Sequence, residues 1–311
     1  MGRRSRNRSV SVDGLLLLNK PAGLTSNQAL QKVKRLLNAS KAGHTGSLDP
    51  AATGMLPLCF GEATKVCAFL LEADKTYRVT ARLGIATDTG DGDGKEVERA
   101  EVIEMSPAQW AAHLQGFHGD SMQVPPMYSA LKQDGKRLYE IARKGETVER
   151  QPRPVRIDEI QLLEIAGTRL VFRVRCSKGT YVRVLVEDIA AAAGTVAYTA
   201  RLHREAVGDF RGEDMHELSA LESLVATEGA DKLVAELMTP DKALANLPAV
   251  TLAGGDGQRF SGGQALPRAA AEAAGFVRVY AESQRFLGVG ELSNDGQLAP
   301  RRVFRMGEES L

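Results

Sequence analysis

Residues 43–57 read Gly43-His44-Thr45-Gly46-Ser47-Leu48-Asp49-Pro50-Ala51-Ala52-Thr53-Gly54-Met55-Leu56-Pro57, a run dense in glycine, proline and small polar residues around a single acid. A proline disfavours the α region for its predecessor, so Asp49 is expected in extended backbone within a loop, its carboxylate free to face a cleft. By pattern alone an Asp-Pro turn is more often structural than chemical. Ala42 to Gly46 reads as a glycine-containing loop leading into it.

Upstream, Leu15 to Asn19 reads as a short buried strand, stopped by the turn chemistry of Lys20-Pro21-Ala22-Gly23. Thr25 and Gln28 then form a capping-box pair, with Leu30, Val33 and Leu37 at helical spacing and Lys32, Lys34 and Arg35 on the wet side. Downstream, Tyr77, Val79, Ala81 and Leu83 alternate with Arg78, Thr80 and Arg82, the pattern of a half-buried antiparallel strand. Leu170, Phe172, Val174 and Cys176 repeat it. After Lys178-Gly179-Thr180, the spacing of Leu185, Val186, Ile189 and Ala193 predicts a helix ending at Gly194. Arg183 falls near its first turn and, on spacing alone, reads as a surface residue.

Leu218 to Leu237 reads as mostly helical, and Thr239-Pro240 as the cap and first position of a shorter helix running to about Ala245. Past Pro248 the chain becomes glycine-rich. Turn signals at Gly254-Gly255, Gly262-Gly263 and Asn294-Asp295-Gly296 bracket strand-like runs at Phe276 to Tyr280 and Phe286 to Val289, which predicts a small β-rich module. The expected class is α/β (α+β): a basic, disordered arm over 1–12, a domain around a mixed, mainly antiparallel sheet over 13–247, and a β-rich domain over 248–311.

At 311 residues and 43% hydrophobic, the chain is long enough for a real core and roughly two domains. No apolar run approaches the ~20 residues of a membrane span. Arg3, Arg4, Arg6 and Arg8 precede a run of only four leucines, too short for a signal peptide, so a cytoplasmic location is expected. Cys59, Cys67 and Cys176 are odd in number and widely spaced, which predicts buried, reduced thiols rather than disulfides or a zinc site. The run Thr87 to Gly94 aligns with a calcium loop only if Thr89 and Ala100 replace its end carboxylates, so it reads as an acidic, solvated turn. The histidines are too scattered for a metal. Nothing nominates a second acid to work with Asp49, which argues against glycoside hydrolysis. Net charge is only +1, but basic residues gather in the N-terminal tail, over 132–144 and over 201–211, where they can contact phosphates.

Further motifs accompany residues 43–57: Asn19-Lys20-Pro21-Ala22-Gly23-Leu24-Thr25-Ser26, Lys75-Thr76-Tyr77-Arg78-Val79, Pro125-Pro126-Met127-Tyr128-Ser129-Ala130-Leu131-Lys132, Cys176-Ser177-Lys178-Gly179-Thr180-Tyr181-Val182-Arg183 and Leu202-His203-Arg204. In this order, over roughly residues 14 to 210, the chain resembles the TruB family of pseudouridine synthases. The resemblance implies a pseudouridine synthase fold and isomerisation of a uridine in the T-loop of tRNA, at conventional position 55. The reaction exchanges the N1–C1′ bond for C5–C1′ without gaining atoms or electrons, so no metal and no cofactor is expected.

By the same resemblance Asp49 is the catalytic carboxylate, either attacking C1′ or removing a ribose proton, and Arg183 is the partner that holds it ionised and oriented. Tyr77 stacks under the target base. The base must be flipped out of the folded loop; His44 enters the space it vacates and Leu202 lines the uracil pocket. Lys20 and Lys65 are implied as basic positions near the site. Residues 123–150, with Tyr128, Lys132 and Tyr139, resemble a mobile segment that folds over RNA. The tail resembles a PUA module that contacts the acceptor end of tRNA, while the arginine-rich arm adds nonspecific affinity for phosphate. The expected partner is tRNA, with no membrane and no obligate protein partner, and the chain is expected to be a monomer. Rival readings are a guide-dependent subunit of the same chemistry, an RNA-binding or tRNA-folding protein without catalysis, and a hydrolase using Asp49.

Overall fold

Leu15 to Leu18 show no alternation because strand β1 (Gly14–Lys20) is covered on both faces. Leu16 and Leu18 pack with Leu30 and Val33 of helix α1 (Ser26–Leu36), while Leu15 and Leu17 share a cluster with Val66, Phe286 and Phe304. The computed structural model describes residues 11–129, 131–133, 135–268 and 274–305. Arg3, Arg4, Arg6 and Arg8 of the basic arm lie outside the described residues, as does Ala130 of the segment expected to clamp RNA. Val12, placed in the arm by sequence, is already packed in the core.

Strand β2 (Ala42–His44) and β3 (Thr53–Phe60) follow, then β4 (Lys75–Leu83), β5 (Gly119–Gln123), β6 (Arg153–Ala166), β7 (Arg169–Cys176), β8 (Ala197–Val207) and β9 (His216–Glu217). They form one nine-stranded sheet in the order β9-β1-β3-β8-β4-β7-β6-β5, with β2 on β3. Its pairings are antiparallel except β1 with β9 and β3 with β8, so the mixed, mainly antiparallel sheet is found. The alternation read in Tyr77 to Leu83 holds: Val79, Ala81 and Leu83 are buried and Arg78 and Arg82 exposed. The buried face packs against helix α2 (Pro107–Gln115), through Trp110 and Leu114, and α3 (Val182–Ala192), through Leu185, Val186 and Ile189. The capping box of Thr25 and Gln28 starts α1 as expected.

Leu218 to Leu237 is mostly helical as expected, in two helices, α4 (Leu218–Glu228) and α5 (Ala230–Ala235), separated where Gly229 adopts φ +91°. Two local expectations are corrected. Ala42 to His44 is strand rather than loop, because Gly43 and His44 pair with Cys59 and Leu58 across the sheet. The short helix expected from Thr239 to Ala245 is one 3₁₀ turn at Lys242–Leu244, whose Ala243 and Leu244 are drawn into the core. Cys59 and Cys176 are buried; Cys67 is only partly so.

A second sheet orders as β10-β12-β13-β14-β11, from β10 (Ala249–Leu252), β11 (Leu266–Pro267), β12 (Gly275–Ala281), β13 (Phe286–Leu292) and β14 (Gln297–Val303). It has its own core of Leu252, Phe260, Val279, Leu287 and Leu298. Among the described residues no helix is long and apolar enough to cross a membrane.

Candidate active site

Asp49 is held by the first turn of α1. Ser26 Oγ accepts from Leu48 N–H at 2.8 Å and donates to the Leu48 carbonyl at 3.1 Å, fixing both polar backbone atoms of its neighbour. Lys20, fully buried, donates to the carbonyls of Pro21, Leu24 and Pro50 at 2.8, 2.7 and 3.2 Å. Its ammonium therefore supports the loop from behind. Burial draws the Lys20 amine down to about 8, Asp49 raising it in part and Arg204 lowering it further.

The carboxylate of Asp49 meets Arg183 Nε at 3.1 Å, its side chain 45% exposed beside an arginine that is 7% exposed. Arg183 comes from the first turn of α3, and its remaining donors are also engaged. Nη1 donates to Thr89 O at 2.7 Å and lies 3.3 Å from Asp91 Oδ2, while Nη2 donates to the Tyr128 carbonyl at 2.7 Å. Asp49 and Arg183 are thus paired, and the arginine favours the ionised carboxylate against the burial that opposes it. Burial pushes the Asp49 carboxyl above its ordinary value; Arg183 pulls it down, Asp91 pushes it up, and Lys20 pulls it down.

Asp49, Tyr77, Tyr128, Arg183 and Leu202 line one cavity of about 320 Å³, with Lys75, Arg204 and Leu71. Burial raises the Tyr77 phenol, so it stands as a neutral hydroxyl near pH 7. A larger cavity, about 800 Å³, lies between Phe69, Leu244 and Phe276, away from this acid. Its lining includes Glu72, Lys242 and Glu291 but neither Asp49 nor Arg183, so size is not what marks the site.

His44 sits on β2 with Nδ1 enclosed and unpartnered, and burial, then Arg204, lower the imidazole so that its neutral form is favoured. Lys65 is not brought to the cavity. It pairs with Glu62, donates to the Val303 carbonyl at 2.7 Å and lies over the Phe304 ring, because its 3₁₀ turn faces the second sheet. Lys132 is exposed on the hairpin of 132–133 with 136–137, also outside the cavity lining.

Sequence reasoning missed two residues. Asp91, read as part of a solvated turn, is a second carboxylate on Arg183, its side chain 16% exposed. Nothing local in Thr87 to Gly94 signals this. Arg204, in a run read as a basic patch for phosphates, is 1% exposed; its Nε donates to Met55 O at 2.6 Å and its Nη2 to Gly46 O at 2.9 Å. Its place two residues after Leu202, on the same face of β8, is the signal that was available.

A partly buried carboxylate held by an arginine beside an aromatic ring, on a mixed sheet with a β-rich tail, suits an enzyme that works with a carboxylate on a glycosidic bond. Residues 34–182 match the family model of TruB family pseudouridylate synthase (N terminal domain), and residues 248–304 match that of Pseudouridine synthase II TruB, C-terminal. A Stutzerimonas stutzeri protein named tRNA pseudouridine synthase B is 49% identical over 94% of this chain and 96% of its own length. A protein of the same name from Nitrosococcus oceani is 46% identical over 98% of each. A chain in the solved H/ACA RNP bound to a substrate RNA containing 2′-deoxyuridine aligns with TM-score 0.72 at 23% identity, over 95% of this chain and 86% of that one. That likeness is one of fold. The chain belongs to the TruB family of pseudouridine synthases, and its reaction is the isomerisation of uridine to pseudouridine.

Proposed function

We propose that the substrate is a uridine in the T-loop of tRNA, flipped into the cavity and rearranged by Asp49. The observation that carries this reading is the Asp49–Arg183 contact on a wall shared with Tyr77 and Leu202. The N1–C1′ bond breaks, the base turns, C5 joins C1′, and the proton leaving C5 is balanced by one gained at N1. Asp49 serves either by attacking C1′ or by removing a ribose proton; both need the ionised carboxylate, which Arg183 orients. Tyr77 and Leu202 offer an aromatic and an aliphatic surface to the flipped uracil.

His44, at the rim of the same loop, suits the space left in the T-loop. Residues 123–150, including Tyr128 and the exposed Lys132, are read as the segment that folds over and clamps the RNA, and residues 248–311 as a module for the acceptor end, following a boundary near Pro248. On this reading the enzyme works in the cytoplasm as a monomer without an obligate protein partner.

The test is a T-arm transcript tritiated at uracil C5, incubated with the parent and with Asp49→Asn. Tritium release to water by the parent alone is expected. Equal release by both would remove Asp49 from the mechanism, and RNA binding without release by either would favour a binding protein.

A further inference from the structure

Gln123 ends β5, at the edge of the large sheet, yet is only 6% exposed. Its Nε2 donates to the Tyr181 carbonyl at 3.1 Å, and its Oε1 accepts from Tyr181 N–H at 2.7 Å. One side-chain amide thus closes on both polar backbone atoms of one distant residue. Tyr181 is the N-cap of α3 and provides no side-chain cap of its own. Gln123 therefore fixes the N-cap residue from outside; in a capping box that residue's N–H is met by the N3 side chain of the helix itself. Arg183 lies two residues further on.

The contact is doubled by the segment that Gln123 begins. Tyr128, five residues later, accepts Arg183 Nη2 on its carbonyl at 2.7 Å. Between these two attachments stand Pro125 and Pro126, whose rings fix φ and stiffen the span. Beyond them, Ser129 O accepts Tyr139 N–H at 3.1 Å and Leu131 O accepts Leu138 N–H at 2.8 Å. The helix Leu138–Ala142, beside the basic residues Arg137 and Arg143, hangs from the same span.

We propose that Gln123 is a positioning residue, which through Tyr181 seats Arg183 against Asp49 and, through the Pro125-Pro126 span, ties that seat to the basic segment. The inference rests on the reading of Asp49 as the catalytic carboxylate with Arg183 as its partner. Only Nε of Arg183 reaches Asp49, while Thr89, Asp91 and Tyr128 hold the far end of the guanidinium. A small displacement of the helix start therefore falls on the Asp49 contact. Misplacement of about 1 Å at a reacting group lowers rate by up to ~100-fold.

The experiment compares Gln123→Met, close in length and unable to bond Tyr181 through an amide, with Gln123→Asn, which keeps the amide on a shorter stem. Both are neutral. The charged and titratable groups facing Asp49 are Arg183 from α3, Lys20 from β1, Asp91 and Asp93 from the 87–94 turn, and Tyr77 and Tyr181; all remain. Tritium release from the T-arm transcript is followed for kcat and KM across pH. Gln123→Met should lose about 10- to 100-fold in kcat with KM close to the parent, and the acid limb of kcat should move to higher pH as Arg183 slackens from Asp49. Gln123→Asn should fall between.

A lower kcat with an unmoved acid limb would mean a structural role only and would overturn the proposal, as would an unchanged kcat. If Gln123→Met does not fold, Gln123→Asn carries the same two readings alone. Asp49→Asn is run alongside: an active Asp49→Asn defeats the catalytic reading itself, whereas an inactive one with unmoved limbs in the Gln123 variants defeats only the positioning role.

Discussion

Arg183 is shared between two carboxylates, and their unequal settings divide the work. Asp49 is the more open, facing the cavity, and Asp91 the more enclosed, facing Thr89 and the arginine. Asp91 thus anchors the guanidinium and, by its own charge, works against the ionisation of Asp49. The sign follows for Asp91→Asn. Removing that charge takes away an upward push, so the Asp49 carboxyl falls and the acid limb of kcat moves to lower pH. The lost contact with Nη1 lowers kcat at the plateau, by about 10-fold if one charge-assisted bond of ~1.5 kcal/mol is involved. A pH profile of tritium release checks both at once; a limb that stays in place would show that Asp91 does not sense Asp49. The direction is opposite to that expected for Gln123→Met, so the two variants also test each other.

The elements that deliver these residues meet at a point where a side chain has no room. Strands β3 and β8 run parallel only across Thr53–His203 and Gly54–Arg204. Gly54 has φ +101°, and a Cβ there would lie 2.3 Å from the Arg204 carbonyl oxygen. Arg204 in turn ties Met55 and Gly46 on either side of the Asp49 loop. Gly54→Ala is accordingly expected to cost about 3 kcal/mol or more, from the positive φ together with the clash. Urea unfolding measures this, and a midpoint within error of the parent would refute the packing argument.

Such cross-strand demands also mark the limit of what the sequence discloses. Tyr77 and Val79 could be placed by alternation, and α1 by its capping box, because those signals are local. Asp91 acquires its meaning only when α3 brings Arg183 to it from 92 positions away. Lys65 is implied by the resemblance as a basic position near the site but turns to Val303 and Phe304, a choice made by the second sheet. Thr239-Pro240 carries good helix-start chemistry, yet Ala243 and Leu244 are claimed by the core before a second turn forms.

At the scale of the whole molecule, the second sheet is fastened to the first rather than hung beside it. Phe286 and Phe304, with ring centroids 5.0 Å apart, enter the cluster of Leu15, Leu17 and Val66. Tyr280 donates to Asp241 at 3.1 Å, Arg278 to Leu247 O at 2.9 Å, and Arg305 N–H to Glu62 at 2.7 Å. Because β1 is buried on both faces, one face of its core depends on residues from the tail. Truncating Phe286 to alanine removes a mostly buried ring and should cost about 3–5 kcal/mol. The chain's one tryptophan, Trp110, lies on the far side of the large sheet in a separate cluster, so its fluorescence reports only the first body. If the two sheets unfold as one unit, Phe286→Ala lowers the urea midpoint seen by Trp110 and by far-UV circular dichroism together. A Trp110 midpoint left at the parental value, with an earlier circular dichroism step, would mean the tail unfolds alone and that its shared cluster adds nothing to the sheet carrying Tyr77.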